Sequence, residues 1–126
     1  MTIIPITTTF IAIYVIALVL MTGWVGIFRG KLDVLRGHGN DPVLEKRIRI
    51  HGNFIENAPA VALAMGAAEL LGTDAWALWL AAIAFFAGRL MHYFLYDAKS
   101  RAMAMAVTQF PAAFLAVWCL YVIYFA

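Results

Sequence analysis

Charge is scarce in this chain of 126 residues. Only 13% of its residues are charged, whereas a typical soluble domain has about 25%. Apolar residues make up 65% of the sequence, which is above the soluble average of roughly 45–50%. This composition excludes an ordinary soluble domain and indicates a protein that lies in a membrane.

Cysteine is almost absent, because Cys119 is the single copy and no intrachain disulfide can form. No Cys or His pair has the spacing of a metal site, so we expect no metal. The formal net charge is only +2, and the basic residues border apolar runs where membrane topology explains them. We therefore expect no nucleic-acid partner.

Four apolar runs come close to the ~20 residues that an α-helix needs to cross a bilayer. They cover residues 3–28, 53–71, 75–96 and 102–125. The chain has no low-complexity linker and no long repeat, so we expect a single domain over residues 1–126. Short connections force antiparallel neighbours. The predicted fold is all-α, an integral membrane up-down four-helix bundle.

Local signals predict where the middle helices begin and end. Asp41 is a favoured N-cap, and Pro42 suits the first turn of a helix. The second helix is therefore expected to begin near Pro42 and to continue without a break into the bilayer. Gly72 suits the end of that helix, and Thr73 or Asp74 can cap the third.

The basic residues lie in only two of the three connections. They are Arg29, Lys31, Arg36, Lys46, Arg47 and Arg49 between the first two runs, and Lys99 and Arg101 between the last two. With four spans these two connections share one side of the membrane. The positive-inside rule predicts that this side is cytoplasmic and that both termini lie outside. The first run lacks a basic n-region and is too long for a signal peptide, so we read it as an uncleaved span.

Polar side chains interrupt the second run in the stretch RIHGNFIENAP, residues 49–59. Arg49, Asn53 and Glu56 are spaced i, i+4 and i+7, which puts them on one face of a helix. Such groups are unusual within a span, and they normally face protein or a cavity. The stretch is therefore a candidate site.

Two further runs carry polar residues toward the same end of the bundle. Arg89, His92 and Tyr96 repeat the helical spacing in the third run. Arg101 and Gln109 lie in the first part of the fourth run. Because antiparallel helices bring these ends together, we expect these side chains and those of the second run to occupy one layer.

The charges in this layer allow two interpretations. A charge at the centre of a span costs about 2.5–3.5 kcal/mol, so each needs a partner. In the structural interpretation Glu56 pairs with Arg89 or Arg49 inside the bundle. In the binding interpretation three arginines, with Arg101 as the third, outnumber one carboxylate and hold an anionic guest.

Three motifs resemble the MAPEG family, the membrane-associated proteins in eicosanoid and glutathione metabolism. They are RIHGNFIENAP (49–59), AGRLMHYFLY (87–96) and TQFPA (108–112), and they look most like the small bacterial branch. The resemblance implies a homotrimer of four-helix protomers in the bacterial inner membrane, with the termini periplasmic. It also implies that glutathione binds between neighbouring subunits near the cytoplasmic face.

The resemblance assigns roles residue by residue. The implied glutathione-binding residues are Arg49, Asn53, Glu56, Arg89, His92, Tyr96 and Gln109. Arg101 matches the arginine that is thought to hold the glutathione sulfur as a thiolate in catalytic members, although the connection before it is shorter here. Gly52, Ala102 and Met105 depart from the eicosanoid branch, so an eicosanoid substrate is not expected.

The implied function is a glutathione-dependent membrane transferase or peroxidase that acts on lipophilic electrophiles or lipid hydroperoxides. Its expected partners are a second copy of the chain, membrane lipids and a lipophilic small molecule. The alternative is a non-catalytic membrane protein that binds glutathione, another small anion or a lipid headgroup. A proton or ion carrier using Glu56 and His92 is a third hypothesis. The sequence assigns no role to His38, His51 or Glu69.

Overall fold

The computed structural model describes residues 3–126 and consists of four α-helices. They are α1 (Pro5–Leu32), α2 (Pro42–Leu70), α3 (Ala75–Phe94) and α4 (Arg101–Tyr124). No strand occurs among residues 3–126. The prediction of an all-α up-down bundle is confirmed. We call the end with the α2–α3 turn the Gly72 end, and the end with connections 33–41 and 95–100 the basic end.

Three of the helices, α1, α3 and α4, are long and apolar enough to cross a membrane. α2 is the longest helix, with 29 residues, but it is not among these three, and it contains six charged residues. These are Glu45, Lys46, Arg47, Arg49, Glu56 and Glu69. At about 1.5 Å per residue α2 is roughly 43 Å long, which exceeds the ~30 Å hydrocarbon core.

The start of α2 follows the sequence prediction. Asp41 is its N-cap, and the Asp41 Oδ1 accepts a hydrogen bond from the Leu44 N–H at 2.8 Å. Pro42 is the first helical residue, where its missing N–H loses no bond. The helix then continues through Pro59 without a break, so both the start and the continuity that we predicted are confirmed.

The tight turn from α2 to α3 is built on Gly72, which has a positive φ of 79°. The Gly72 N–H donates to the Glu69 carbonyl at 3.1 Å, and the Thr73 N–H donates to the Ala68 carbonyl at 3.0 Å. This pair of bonds closes the helix end. Asp74 is the N-cap of α3 as predicted, but its side chain makes no capping hydrogen bond.

α1 begins against the last turn of α2. The Glu69 carboxylate accepts from the Ile6 N–H and the Thr7 N–H, both at 2.8 Å. The first N–H groups of a helix have no partner within it and carry partial positive charge. Glu69, whose role the sequence left open, therefore caps α1 from a different helix.

An aromatic cluster holds α1, α2 and α3 together. The rings of Phe10 and Phe85 meet edge to face with centroids 5.1 Å apart, and those of Phe54 and Phe85 are 5.6 Å apart. All three side chains are buried, as are Met65 and Leu78 beside them.

α3 and α4 approach each other closely at Gly88. A Cβ added there would lie 2.8 Å from the Thr108 backbone N and 2.9 Å from the Ala104 carbonyl oxygen. Only a residue without a side chain fits so near a neighbouring backbone. This contact, which we call the Gly88 seam, brings the next residue, Arg89, against α4.

Candidate functional site

A groove of about 280 Å³ lies between α2 and α4. Its polar lining consists of Glu56, Asn57 and Gln109, and most of the rest of its wall is alanine. The Gln109 Nε2 donates to the Asn57 Oδ1 at 2.6 Å, and the Asn57 Nδ2 donates to the Asn53 carbonyl at 2.7 Å. Two predicted site residues, Glu56 and Gln109, thus share one groove.

Glu56 is exposed on this face of the protomer. The single ion pair within residues 3–126 joins Lys46 and Asp97 at 3.9 Å. Glu56 therefore pairs with neither Arg49 nor Arg89, and the structural interpretation of these charges is wrong for the isolated protomer. The spacing put the groups on one helix face, but it did not bring opposite charges into contact.

Asn53 links α2 to α3. Its Nδ2 donates to the Arg49 carbonyl at 3.0 Å and lies 3.3 Å from the His92 Nε2. His92 is buried, and its ring meets that of Tyr96 edge to face at 5.8 Å. Tyr96 lies two residues beyond the end of α3, in the connection to α4, and not on the helix as its spacing suggested. Asn53, His92 and Tyr96 nevertheless form one layer.

Arg89 is buried and held by α4. Its Nε and Nη2 donate to the Thr108 Oγ1 at 3.2 and 2.9 Å, and Nη2 also contacts the Met105 sulfur at 3.2 Å. The Thr108 hydroxyl in turn donates to the Ala104 carbonyl at 2.7 Å. Within the described chain the Arg89 Nη1 and the His92 Nδ1 are buried without a hydrogen-bond partner, so each can accommodate a further polar contact.

Arg49 and Arg101 remain open. Both are exposed, and neither takes part in an ion pair in the part of the chain that the structure describes. Arg101 is the first residue of α4 and therefore lies at the basic end with Tyr96. Among the exposed predicted site residues, Arg49, Arg101 and Glu56 therefore have no ion-pair partner within residues 3–126.

Sequence reasoning missed Asn57 and Thr108. Asn57 comes one helical turn after Asn53, so the i, i+4 spacing could have identified it. Thr108 lies inside the motif TQFPA beside Gln109, but its contact with Arg89 depends on the Gly88 seam. That contact between two helices has no local signal in the sequence.

The other histidines make local contacts. The His51 Nε2 lies 3.1 Å from the Thr22 Oγ1 on α1. The His38 Nδ1 accepts from the Asn40 N–H at 3.1 Å within the 33–41 connection. Between residues 3 and 126 no cluster of three or more His, Cys, Asp or Glu side chains is placed to hold a metal ion.

Comparison with known proteins identifies the family of the chain. A model of the MAPEG family matches residues 7–121. The inner membrane protein YecN of Escherichia coli K12 is 38% identical over 66 residues, which are 52% of this chain and 50% of that protein. YecN of Escherichia coli O6:H1 gives the same figures. The match thus spans about half the length of these curated relatives, and no solved structure matches significantly. With a family match over residues 7–121 and a four-helix membrane fold, the chain belongs to the MAPEG family.

Proposed function

We propose that this protein binds glutathione at the basic end of the bundle, on the α2 face that carries Arg49, Asn53 and Glu56. The observation that carries the proposal is that charged side chains on this face have no ion-pair partner. Glu56 and Arg49 have no ion-pair partner within residues 3–126. Charged groups in a membrane protein normally face a cavity or have partners, so these two are suited to a charged guest.

Glutathione complements this set of groups. It carries two carboxylates and one amine, so it matches an excess of arginine over glutamate. Arg49 and Arg89 supply guanidinium groups for the carboxylates, and Glu56 receives the amine. Neutral contacts come from Asn53 and Gln109. The buried His92 and its neighbour Tyr96 complete the pocket on the α3 side.

The site is completed by other copies of the chain. Arg49, Glu56 and Gln109 are exposed on the single protomer, and the groove that contains Glu56 and Gln109 is rich in alanine. Small residues let membrane helices approach closely, so this face suits a contact between protomers. We propose a homotrimer with glutathione between neighbours, in the bacterial inner membrane, with the basic end cytoplasmic.

The chemistry that follows is thiolate activation. A free thiol has a pKa of about 8.5, so only a small fraction is nucleophilic at neutral pH. A guanidinium such as that of Arg101 beside the sulfur favours the thiolate. The thiolate then displaces the leaving group of a lipophilic electrophile dissolved in the bilayer. With a lipid hydroperoxide, two glutathione molecules become the disulfide while the peroxide becomes an alcohol and water.

A glutathione titration of the detergent-solubilised protein tests the proposal. We expect glutathione to raise the melting temperature, and we expect turnover with an aryl halide or an organic hydroperoxide. Arg49→Ala should abolish the stabilisation. Arg36→Ala is the matched control, because it removes an exposed arginine of the 33–41 connection that lies outside the site. Absence of both stabilisation and turnover would contradict the proposal.

A second candidate is binding without catalysis. Met105 and Ala102 are apolar, and the Met105 sulfur contacts the Arg89 Nη2 at 3.2 Å. This part of α4 therefore offers few polar groups around a reacting sulfur. A non-catalytic protein would be stabilised by glutathione, by another small anion or by a lipid headgroup. It would show neither turnover nor the ultraviolet absorbance of a bound thiolate.

A further inference from the structure

Two adjoining cavities lie at the basic end, on the side of the bundle where α1 faces α3. The first, which we call the mouth, has a volume of about 430 Å³ and is lined by Trp24, Lys46, Arg47, Tyr93, Tyr96 and Asp97, among others. The second, which we call the slot, has a volume of about 320 Å³. Trp24 and Tyr93 line both cavities, so the mouth and the slot are adjacent.

The mouth is positively charged and its cations are held in place. The Arg47 Nη1 donates to the Trp24 carbonyl at 3.1 Å, and its guanidinium carbon lies 4.2 Å from the Phe28 ring centroid. The Lys46 Nζ lies 5.3 Å from the Tyr93 ring centroid. Asp97 offsets only part of this charge, because its pair with Lys46 is 3.9 Å long and its side chain is 85% exposed.

The slot is mainly apolar and lies deeper in the bundle. Its wall includes the apolar residues Met21, Ile50, Phe54, Phe86 and Leu90, together with the buried polar residues Arg89 and His92. Phe86 comes two helical turns before Tyr93 on α3, which corresponds to a depth of about 10 Å at 1.5 Å per residue. A cavity with cations at its entrance and apolar side chains beneath matches an amphiphile whose anionic head faces the water.

We propose that the mouth and slot hold one anionic phospholipid of the cytoplasmic leaflet. Its phosphate lies against Lys46 and Arg47, and one acyl chain occupies the slot between α1 and α3. Basic pockets between membrane helices select anionic lipids in this way. A zwitterionic lipid has its own cation beside the phosphate and gains less. The slot is also lined by Arg89 and His92 and the mouth by Tyr96, which the proposed glutathione site shares. Lys46 and Arg47 do not belong to that site, so variants of these two residues test the lipid separately from glutathione.

Trp24 is a built-in reporter for this site because it lines both cavities. In a variant that keeps Trp24 and replaces Trp76, Trp79 and Trp118 with Phe, the fluorescence comes from the site alone. The protein would be reconstituted in nanodiscs with phosphatidylglycerol or phosphatidylcholine that carries brominated acyl chains. Bromine quenches tryptophan on contact, so quenching measures occupancy of the slot.

We expect brominated phosphatidylglycerol to quench Trp24 more than phosphatidylcholine at the same mole fraction. Each cation near the membrane surface contributes about 1 kcal/mol toward anionic lipid. Two cations therefore give about a 25-fold preference, at ~1.4 kcal/mol per factor of ten. Lys46→Gln combined with Arg47→Gln should abolish the preference. Unbrominated phosphatidylglycerol should reverse the quenching.

The matched control is Arg36→Gln combined with Lys99→Gln, which removes two exposed cations at the same end but outside the mouth. It should keep the preference. Equal quenching by the two lipids, or equal loss in the control, would overturn the inference. The double variant at the mouth could lose stability because Arg47 packs on Phe28. In that case Lys46→Gln alone is the test, and we expect it to reduce the preference for phosphatidylglycerol by about fivefold. An unchanged preference in that variant would also overturn the inference.

Discussion

Two carboxylates of α2, Glu69 in its last turn and Glu56 at its middle, have opposite environments. Near the Gly72 end, Glu69 accepts two hydrogen bonds from the first N–H groups of α1. Nearer the basic end, Glu56 is exposed and has no ion pair within residues 3–126. One carboxylate completes the fold of its own chain, whereas the other is available to a partner. In a membrane protein, the unpaired group is the stronger indication of a binding site.

The arginines divide in the same way. Arg89 is buried and donates to the Thr108 hydroxyl through two of its nitrogens. Arg49 and Arg101 are exposed and have no ion pair in the described chain. The closed region therefore contains Glu69, the Gly88 seam and most of Arg89. The open region contains Arg49, Glu56 and Arg101, which are the exposed charged groups that we assign to glutathione.

The largest effect should come from the open region. Arg49→Ala or Glu56→Ala should weaken glutathione binding by more than tenfold, because loss of one partner of a desolvated charge pair typically costs about 2–5 kcal/mol. Isothermal titration of the solubilised protein measures the affinity. Glu45→Ala, an exposed carboxylate in the first turn of α2, should change it little. An affinity close to wild type in both site variants would contradict our assignment.

The next largest effect should come from the Gly88 seam. Gly88→Ala adds a Cβ against Thr108 and the Ala104 carbonyl, and we expect a loss of about 1–3 kcal/mol in the free energy of unfolding. Gly26→Ala is the matched control, since nothing lies within 4 Å of its added Cβ. It should be neutral or stabilise by roughly 0.5–1 kcal/mol. Unfolding in mixed detergents measures both, and equal effects would mean that the helices are not in close contact here.

A smaller loss is expected at the Glu69 cap. Glu69→Ala leaves the Ile6 and Thr7 N–H groups without their acceptor, which should cost about 1–2 kcal/mol of stability. Asp74→Ala removes a nearby carboxylate that makes no capping bond and should have little effect. The melting temperatures of the two variants give the comparison. If both melting temperatures fall by the same amount, the hydrogen bonds of Glu69 contribute no specific stability.

The smallest effect on binding is expected at Arg101. Arg101→Ala should leave glutathione affinity within a few-fold of wild type while it lowers turnover and the absorbance of the bound thiolate, because only the sulfur changes charge in the reaction. If turnover and absorbance are both unchanged, the match across the short 97–100 connection is wrong. The partner of the sulfur would then have to be sought at Arg89 or among the tyrosines.

The sequence predicts the fold well because its signals are local. The four apolar runs predict four helices. Asp41 and Pro42 predict the start of α2 from the residues of its first turn alone. No Gly or Pro marks the end of α3, so the sequence did not place Tyr96 beyond the helix. Without such a residue the sequence does not fix the end of a helix to within one or two residues.

The site is predicted only as far as helix faces allow. Spacing and antiparallel order bring Asn53 and His92 to the same level, and the structure places their nitrogens 3.3 Å apart. The partners of Glu69 and Arg89 were not foreseen, because each lies on another helix. Periodicity predicts the helix face of a residue and its height in the bundle. Which side chains contact each other between two helices depends on how the helices are rotated about their axes.

The Glu69 cap also bears on how the chain enters the membrane. During synthesis α1 emerges first, yet the acceptor for its Thr7 N–H comes 62 residues later. α2 lacks the apolar length to insert well alone, and its carboxylate would be costly in lipid without α1. We therefore expect the two helices to integrate together as a hairpin.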